Sequence, residues 1–482
     1  MYNIIIYIYL LGVAIASRWN SKIRKMWRGE RETFDILRQK TDPNAKYLWF
    51  HAASLGEFEQ GRPIMERLRK SHPEYKILLT FFSPSGYEVR KNYEGADIVC
   101  YLPLDTPLNV RRFFKIIHPE MAFFIKYEFW WNYMTYMKKH DIPVYSVSSI
   151  FRPQQVFFRW YGNSYRRVLN CITRFFVQNE KSRELLATLG ITNVEITGDT
   201  RFDRVLEIKQ SASQKQMPIV DAFAKGYKVF VAGSSWPPDE DIFIRYFNDH
   251  KDWRIVIAPH VIGEDHLQQI LSKLNRTAVR YTQTTPEEAA KADCLIIDCF
   301  GLLSSIYSCA KVTYVGGGFG VGIHNVLEAA VWNVPVIFGP NNKRFQEAQE
   351  LLATQGGMEI NSYEDFERIM DRFDSDAEYL SISSDLAGAY VKTKAGAADK
   401  VIMGVGLYWN NHDRLPVSRT TSDMTIPDIL HRPCGLHRMP GIAVFIHSCM
   451  SGGLTSSNSR VSIIICPGAR LRRFSSDCWS PH

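Results

Sequence analysis

A chain of 482 residues exceeds what one hydrophobic core holds, and at roughly 150 residues per domain it points to two large domains with extras. The 45% apolar fraction fits a globular body. Nine cysteines with neither metal-type CxxC spacing nor a dense even framework exclude a disulfide scaffold and suit a reducing compartment. The net charge of +8 is modest for this length but unevenly placed.

Tyr2 to Ala16 is almost wholly apolar, yet only about 15 residues long where a spanning helix needs about 20. Arg18, Lys22, Arg24, Lys25, Arg28 and Arg31 crowd directly behind it, so anionic membrane lipid is the natural partner. A signal peptide competes, because Ala14-Ile15-Ala16 resembles a cleavage site, but the charge follows the apolar run instead of preceding it. Residues 1–17 are therefore expected to form a short membrane anchor, and the basic cluster puts the body on the cytoplasmic side.

From Tyr47 short apolar runs alternate with helical patterns: Lys76 to Phe82, Ala96 to Leu102, Met121 to Ile125, Pro143 to Ser148, Phe175 to Gln178 and Val194 to Thr197. That alternation predicts a parallel sheet covered by helices on both faces, over 18–209. Residues 210–218 are polar and read as a linker. The alternation restarts over 219–408 with Lys228 to Ala232, Arg254 to Ala258, Cys294 to Asp298, Val312 to Val315 and Val334 to Phe338. Two such sheets should face each other, with the site in the cleft beyond the carboxyl ends of their strands. After Lys400 the chain holds neither Lys nor Glu, while four cysteines fall there (Cys434, Cys449, Cys466, Cys478). Residues 409–482 read as an atypical, poorly ordered tail, an unrelated or frame-shifted extension without assigned function.

The organising stretch is His51-Ala-Ala-Ser-Leu-Gly-Glu57-Phe58, which sets one carboxylate where the strand from Tyr47 gives way to a helix. Ala52, Ala53 and Gly56 let another molecule approach the turn, so Glu57 stands where a base belongs; its bland role is to cap the helix. In the same half, Lys126-Tyr-Glu128-Phe-Trp-Trp-Asn132 and Thr197-Gly-Asp-Thr-Arg201-Phe-Asp203 put charge at two further strand ends. Glu128 serves equally well as half of a structural ion pair. Between Phe151 and Arg167 aromatics interleave with arginines, suiting an acylated, phosphorylated amphiphile; nucleic acid is the rival for such a stretch, but the N-terminal anchor favours lipid and no nucleic-acid partner is expected.

In the second half Val315-Gly-Gly317-Gly318-Phe-Gly-Val-Gly-Ile-His324-Asn325-Val326-Leu327-Glu328 is expected to run from a buried strand through a bare turn into a helix, an anion cradle unlike the GxGxxG dinucleotide pattern. His324 and Glu328, four apart, would share a helical face from which the carboxylate reaches a ribose. Gly233-Ser234-Ser235-Trp-Pro, Pro259-His260, Asp298-Cys-Phe300-Gly301-Leu302 and Gly339-Pro-Asn-Asn follow other strands of the same half. Several such turns on one edge argue for a bound nucleotide.

HAASLGEF, the Glu-x-Trp stretch at Glu128, TGDTRFD, GSSWP and GGGFGVGIHNVLE, in that order, resemble the motifs of the Kdo transferases, membrane-associated enzymes that add 3-deoxy-D-manno-octulosonic acid (Kdo) to lipid A precursors. The resemblance extends from the N-terminus to about residue 405. It implies a GT-B fold, two Rossmann-like α/β domains facing across a cleft, with CMP-Kdo as donor. It implies Glu57 as proton acceptor, Glu128 and Arg201 as stabilisers of the transition state, and CMP contacts at Pro259, His260, Phe300, Gly301, Leu302, Asn325, Val326, Leu327 and Glu328. The family commonly has an arginine near Pro259, a glutamate where Leu302 stands and a lysine where Arg201 stands; Arg201 keeps the charge.

The expected reaction is an inverting transfer to lipid IVA at the cytoplasmic face of the inner membrane, with no protein-bound metal and no cofactor besides the donor substrate. The alternatives are another GT-B transferase, a sugar-nucleotide epimerase, or a catalytically silent membrane-bound scaffold.

Overall fold

The computed structural model describes residues 2–126, 128–212 and 216–407. The first sheet comprises β1 (Lys46–Ala52), β2 (Tyr75–Phe81), β3 (Ile98–Tyr101), β4 (Pro119–Ile125), β5 (Val144–Ser149), β6 (Arg174–Val177) and β7 (Val194–Ile196). All neighbours are parallel, in the order β3-β2-β1-β4-β5-β6-β7. The second comprises β8 (Lys228–Ser235), β9 (Trp253–Pro259), β10 (Ala278–Arg280), β11 (Cys294–Ile296), β12 (Val312–Val315), β13 (Val336–Phe338) and β14 (Gly357–Glu359). It too is wholly parallel, in the order β10-β11-β9-β8-β12-β13-β14. The first order reverses between β1 and β4 and the second between β8 and β12; in the second, β10 and β11 are also exchanged at the far edge. At such a reversal the connections leave in opposite directions and open a crevice beyond the strand ends.

Burial on both faces explains why the strands read as unbroken apolar runs. Along β1, Tyr47 and Trp49 enter a core with Phe113, Phe124 and Tyr133, while Leu48, Phe50 and Ala52 enter the opposite core with Phe58, Ile64 and Leu68. Trp49 donates from Nε1 to Thr80 Oγ1 at 2.9 Å, and His51 Nδ1 meets the same hydroxyl at 2.9 Å. Complete burial pushes the His51 imidazole down to about 3, so it stays neutral. His51 is a core histidine.

The N-terminus forms two helices, α1 (Tyr2–Ala16) and α2 (Ser21–Lys40), bent by 120°. Among the described residues no single helix is long and apolar enough to cross a membrane; this bent pair passes that test by length and composition together. Gly29 of α2 is pressed on the buried ring of Tyr101, which a Cβ would meet at 2.2 Å. Tyr2 Oη donates to Asp105 Oδ2 at 2.7 Å and Asn132 Nδ2 to Asn3 Oδ1 at 2.8 Å, tying the start of α1 to the first domain.

The expected linker differs from the structure. A helix (Arg201–Ala212) runs into the expected 210–218 segment, and the next helix begins at Pro218; residues 213–215 lie outside the described residues. The chain then crosses a second time. Helix Ala397–Gly404, expected in the second domain, buries Ala398, Val401 and Ile402 in the first domain's core beside Leu48, Phe50 and Phe176. The expected tail, 409–482, lies outside the described residues.

Candidate functional site

Helix α3 (Leu55–Ser71) starts at the carboxyl end of β1, and Ser54 before it closes a capping box with Glu57. Glu57 Oε2 accepts from the Ser54 backbone N–H at 3.0 Å and from Ser54 Oγ at 3.2 Å. The cap is therefore real, but both bonds fall on one oxygen, and a carboxylate has about four acceptor positions. Glu128 follows β4, the strand next to β1, so the reversal of the first sheet brings the two carboxyl groups together. Burial pushes the Glu128 carboxyl up to about 7, the Glu57 charge adds to that, and the Trp130 indole opposes it. A carboxylate beside a carboxyl that holds its proton near neutrality is an acid–base arrangement.

Lys126, at the end of β4, has φ 63°, and Ser148 and Ser234, at the ends of β5 and β8, have φ 52° and 53°. Left-handed backbone in non-glycine residues carries strain, which is retained where a site needs an unusual turn.

A cleft of about 1050 Å³ lies between the two sheets. Gly56, Lys126 and Arg201 line it from the first domain, and Gly301, Asn325 and Glu328 from the second. Glu57 and Glu128 stand beside this lining without forming part of it. Arg201 bridges the domains: Nε donates to Asp199 Oδ2 at 2.8 Å, and Nη1 to Glu347 Oε1 of the second domain at 2.8 Å. Asp199 also accepts from Gln60 of α3 at 3.1 Å. The Arg201 charge holds the Asp199 carboxyl below its usual range against the cost of full burial.

In the second domain the reversal between β8 and β12 gathers the expected turns. The His260 ring packs against both Trp236 and His324, with centroids 4.8 Å and 4.4 Å away, and Trp236 Nε1 donates to His324 Nε2 at 3.2 Å. Burial and the His260 neighbour push the His324 imidazole down to about 4, so it is the neutral acceptor of that bond. Glu328 accepts from Asn325 Nδ2 at 3.0 Å and from the Ser304 hydroxyl, and burial raises its carboxyl. Gly301, with φ 87°, lines the cleft, while Phe300 before it is 82% exposed and Leu302 is the N-cap of the helix Leu303–Ile306. Pro259 ends β9, and His260 N–H donates to Ser235 O at 2.9 Å.

Several expectations need correction. The glycine-rich loop does not lead into a long helix: Leu327–Ala330 is a single turn, and His324 lies before it, so His324 and Glu328 share no helical face. A turn that short has no useful macrodipole. The glycines are required by the protein itself, since a Cβ on Gly316 would meet Ser234 O at 2.4 Å and one on Gly318 would meet the backbone of Gly339 at 2.5 Å. Gly317, with φ 92°, donates its N–H to Asp239 Oδ2 at 2.9 Å. Val326 and Leu327 point into the core and offer a ligand no side chain. The Ser235 hydroxyl donates to Glu240 Oε1 at 2.9 Å inside the domain, and Ser234 presents a strained backbone.

Sequence reasoning missed the ionic lattice on the first-domain wall. Arg204 donates to Glu59 at 3.1 Å and Arg90 to Glu59 at 2.8 Å, while Arg62 pairs with Glu66. Its signals in the sequence were Glu59, Arg62 and Glu66, spaced three and four apart on one helix, and Arg204, three residues beyond Arg201 on another. Among the described residues no group of three His, Cys, Asp or Glu side chains is placed to hold a metal ion.

Residues 28–204 match the family described as 3-deoxy-D-manno-octulosonic-acid transferase (kdotransferase). A 3-deoxy-D-manno-octulosonic acid transferase of Aquifex aeolicus is 28% identical over 327 residues, covering 65% of this chain and 82% of that protein. One of Haemophilus influenzae is 23% identical over 348 residues, covering 69% and 80%. Among solved structures, a UDP-GlcNAc 2-epimerase from Neisseria meningitidis superposes with a TM-score of 0.54 at 14% identity, over 75% of this chain and all (100%) of that one. At that identity the likeness is one of fold, two Rossmann-like domains in the GT-B arrangement.

Proposed function

We propose, from the premise that the chain belongs to the Kdo transferase family of glycosyltransferases, that it moves Kdo from CMP-Kdo to a sugar hydroxyl of a lipid A precursor, lipid IVA, with inversion. The observation that carries this is the meeting of Glu57 and Glu128 at the reversal of the first sheet, across a cleft from the turns around Ser234, His260 and Glu328. The Glu57 carboxylate takes the acceptor hydroxyl proton as that oxygen bonds to the anomeric carbon. The bond from that carbon to the phosphate oxygen breaks with its electron pair, and CMP departs. Glu128, proton-bearing near neutral pH, donates a hydrogen bond to charge developing on the reacting sugars. Arg201 supplies positive charge on the cleft wall, fixed in place by Asp199 and Glu347. Glu328 and Asn325 form the ribose end of the donor site.

The acceptor is a membrane lipid, so the reading extends to a protein attached to the cytoplasmic face of the inner membrane. Ile4, Ile8 and Leu11 of α1 are exposed, and the basic residues of α2 follow directly. An apolar helix lying in the interface beside a basic cluster is a two-part membrane attachment.

The test is to incubate the purified protein with CMP-Kdo and tetraacyl lipid A precursor and weigh the product. A mass gain of whole Kdo units is expected, and turnover lower by roughly 10²-fold or more for Glu57→Gln. An unchanged acceptor mass overturns the activity; near wild-type turnover in Glu57→Gln removes Glu57 from the role of base.

A further inference from the structure

Two adjacent carboxylates, Asp239 and Glu240, open helix Pro237–Asp249, and both are wholly buried, 0% exposed. Burying one carboxylate is costly unless hydrogen bonds offset it, and two side by side repel as well. Helix capping accounts for only one of their contacts, that of Asp239 Oδ2 with the Trp236 N–H at 2.9 Å. The others reach into separate turns at the strand ends. Asp239 also accepts from the Gly317 N–H at 2.9 Å and from Tyr314 Oη at 2.7 Å, fixing the glycine loop after β12. Glu240 Oε1 accepts from Ser235 Oγ at 2.9 Å, fixing the turn after β8. Glu240 Oε2 lies 2.9 Å from His266 Nε2, and His266 Nδ1 lies 3.0 Å from Val261 O in the turn after β9.

We infer that Glu240 and His266 are positioning residues for the nucleotide donor: through Ser235 and Val261 they hold the turns after β8 and β9 in one fixed relation. The inference rests on the donor reading above. The hydrogen-bond inventory constrains how the clamp works. A carbonyl oxygen only accepts, so His266 Nδ1 carries a hydrogen toward Val261. The Nε2–Oε2 contact then needs one further proton, carried either by the imidazole or by the carboxyl. One shared proton thus joins Glu240 and His266. Glutamine at 240 meets the same demands without that proton, because its oxygen accepts from Ser235 and its amide donates to the Nε2 lone pair. Alanine meets none of them.

Hydrogen exchange read by mass spectrometry on the ligand-free chain, together with calorimetry of CMP binding, tests this. In Glu240→Ala, exchange over 233–236 and 259–262 should accelerate and CMP affinity fall about tenfold, as for one hydrogen bond to a charged group. Glu240→Gln should restore both readouts to near wild type. His266→Ala, at a ring only partly buried, should loosen 259–262 while leaving 233–236 unchanged, and it decides the matter if Glu240→Ala does not fold. Unchanged exchange over both turns in Glu240→Ala, or over 259–262 in His266→Ala, or a Glu240→Gln as loose as the alanine variant, overturns the clamp. Loosened turns in a protein whose wild-type form does not bind CMP overturn the donor reading and the clamp's role in it, while leaving the clamp itself as structure.

Discussion

Glu128 keeps its proton up to about pH 7, whereas an unfolded glutamate releases it near 4.5. The folded chain therefore binds more protons between those values, and the stability this carboxyl contributes is complete below about 4.5 and lost as pH rises through about 7. Glutamine keeps a neutral side chain at every pH. Melting Glu128→Gln beside wild type at pH 4.5, 6 and 8 should show the variant gaining relative stability at each step; a pH-independent difference would mean the carboxyl is not shifted. At this scale the sequence was legible in part. HAASLGEF placed Glu57 at a strand end and offered helix capping as its bland role, which the capping box with Ser54 shows; TGDTRFD placed Arg201 at another strand end but did not show that Arg201 spans the domains to Glu347. The glycines misled most. What Gly316 and Gly318 lie against, Ser234 and Gly339, is distant in sequence, so a packing requirement read as a ligand's.

Among the elements, all twelve expected strands are present, because each is an apolar run long enough to register. The two missed, β10 and β14, are three-residue strands at the edges of the second sheet, and neither holds more than one β-branched residue, where the equally short edge strand β7 has Val194 and Ile196. The helix expected after the glycine loop is present only as the single turn Leu327–Ala330, because the glycine, histidine and asparagine before it favour a turn over a helix. At the N-terminus, α1 exposes apolar side chains while Tyr2 and Asn3 anchor it to Asp105 and Asn132. Deleting residues 2–17 should release much of the protein from anionic vesicles and leave the catalytic domains folded, since β1 begins only at Lys46. Transfer to acceptor in vesicles should suffer more than transfer to detergent-dispersed acceptor. Full retention on vesicles in high salt would instead make the segment around the exposed Trp160 and Tyr161 the main membrane contact.

Across the molecule, the two crossings between domains meet at Arg67 of α3. Its guanidinium donates to Asp203 at 3.2 Å and Glu207 at 3.2 Å on the outgoing helix, and to Asp399 at 2.7 Å on the returning one. Asp203 further accepts from the Gly396 and Ala398 N–H groups at 3.0 Å and 3.3 Å. Arg67→Ala would leave three clustered carboxylates without their shared cation. With Asp203 buried and Asp399 partly exposed, the expected loss is about 2–3 kcal/mol, below the range for fully buried pairs. Urea denaturation at pH 7 checks this, and a loss under about 0.5 kcal/mol, the scale of an ordinary surface change, would show the cluster to be independent of Arg67.

The return of helix Ala397–Gly404 also fixes an order of events during synthesis. Residues up to 212 leave the ribosome first, yet Leu48, Phe50, Val147 and Phe176 then face a groove whose filling, Ala398, Val401 and Ile402, is not yet made. At roughly 5–20 residues per second the nascent chain waits for seconds to tens of seconds with that groove bare, while the whole second domain is translated. A message broken before codon 397 would release a first half that has its sheet but can never close its own interior.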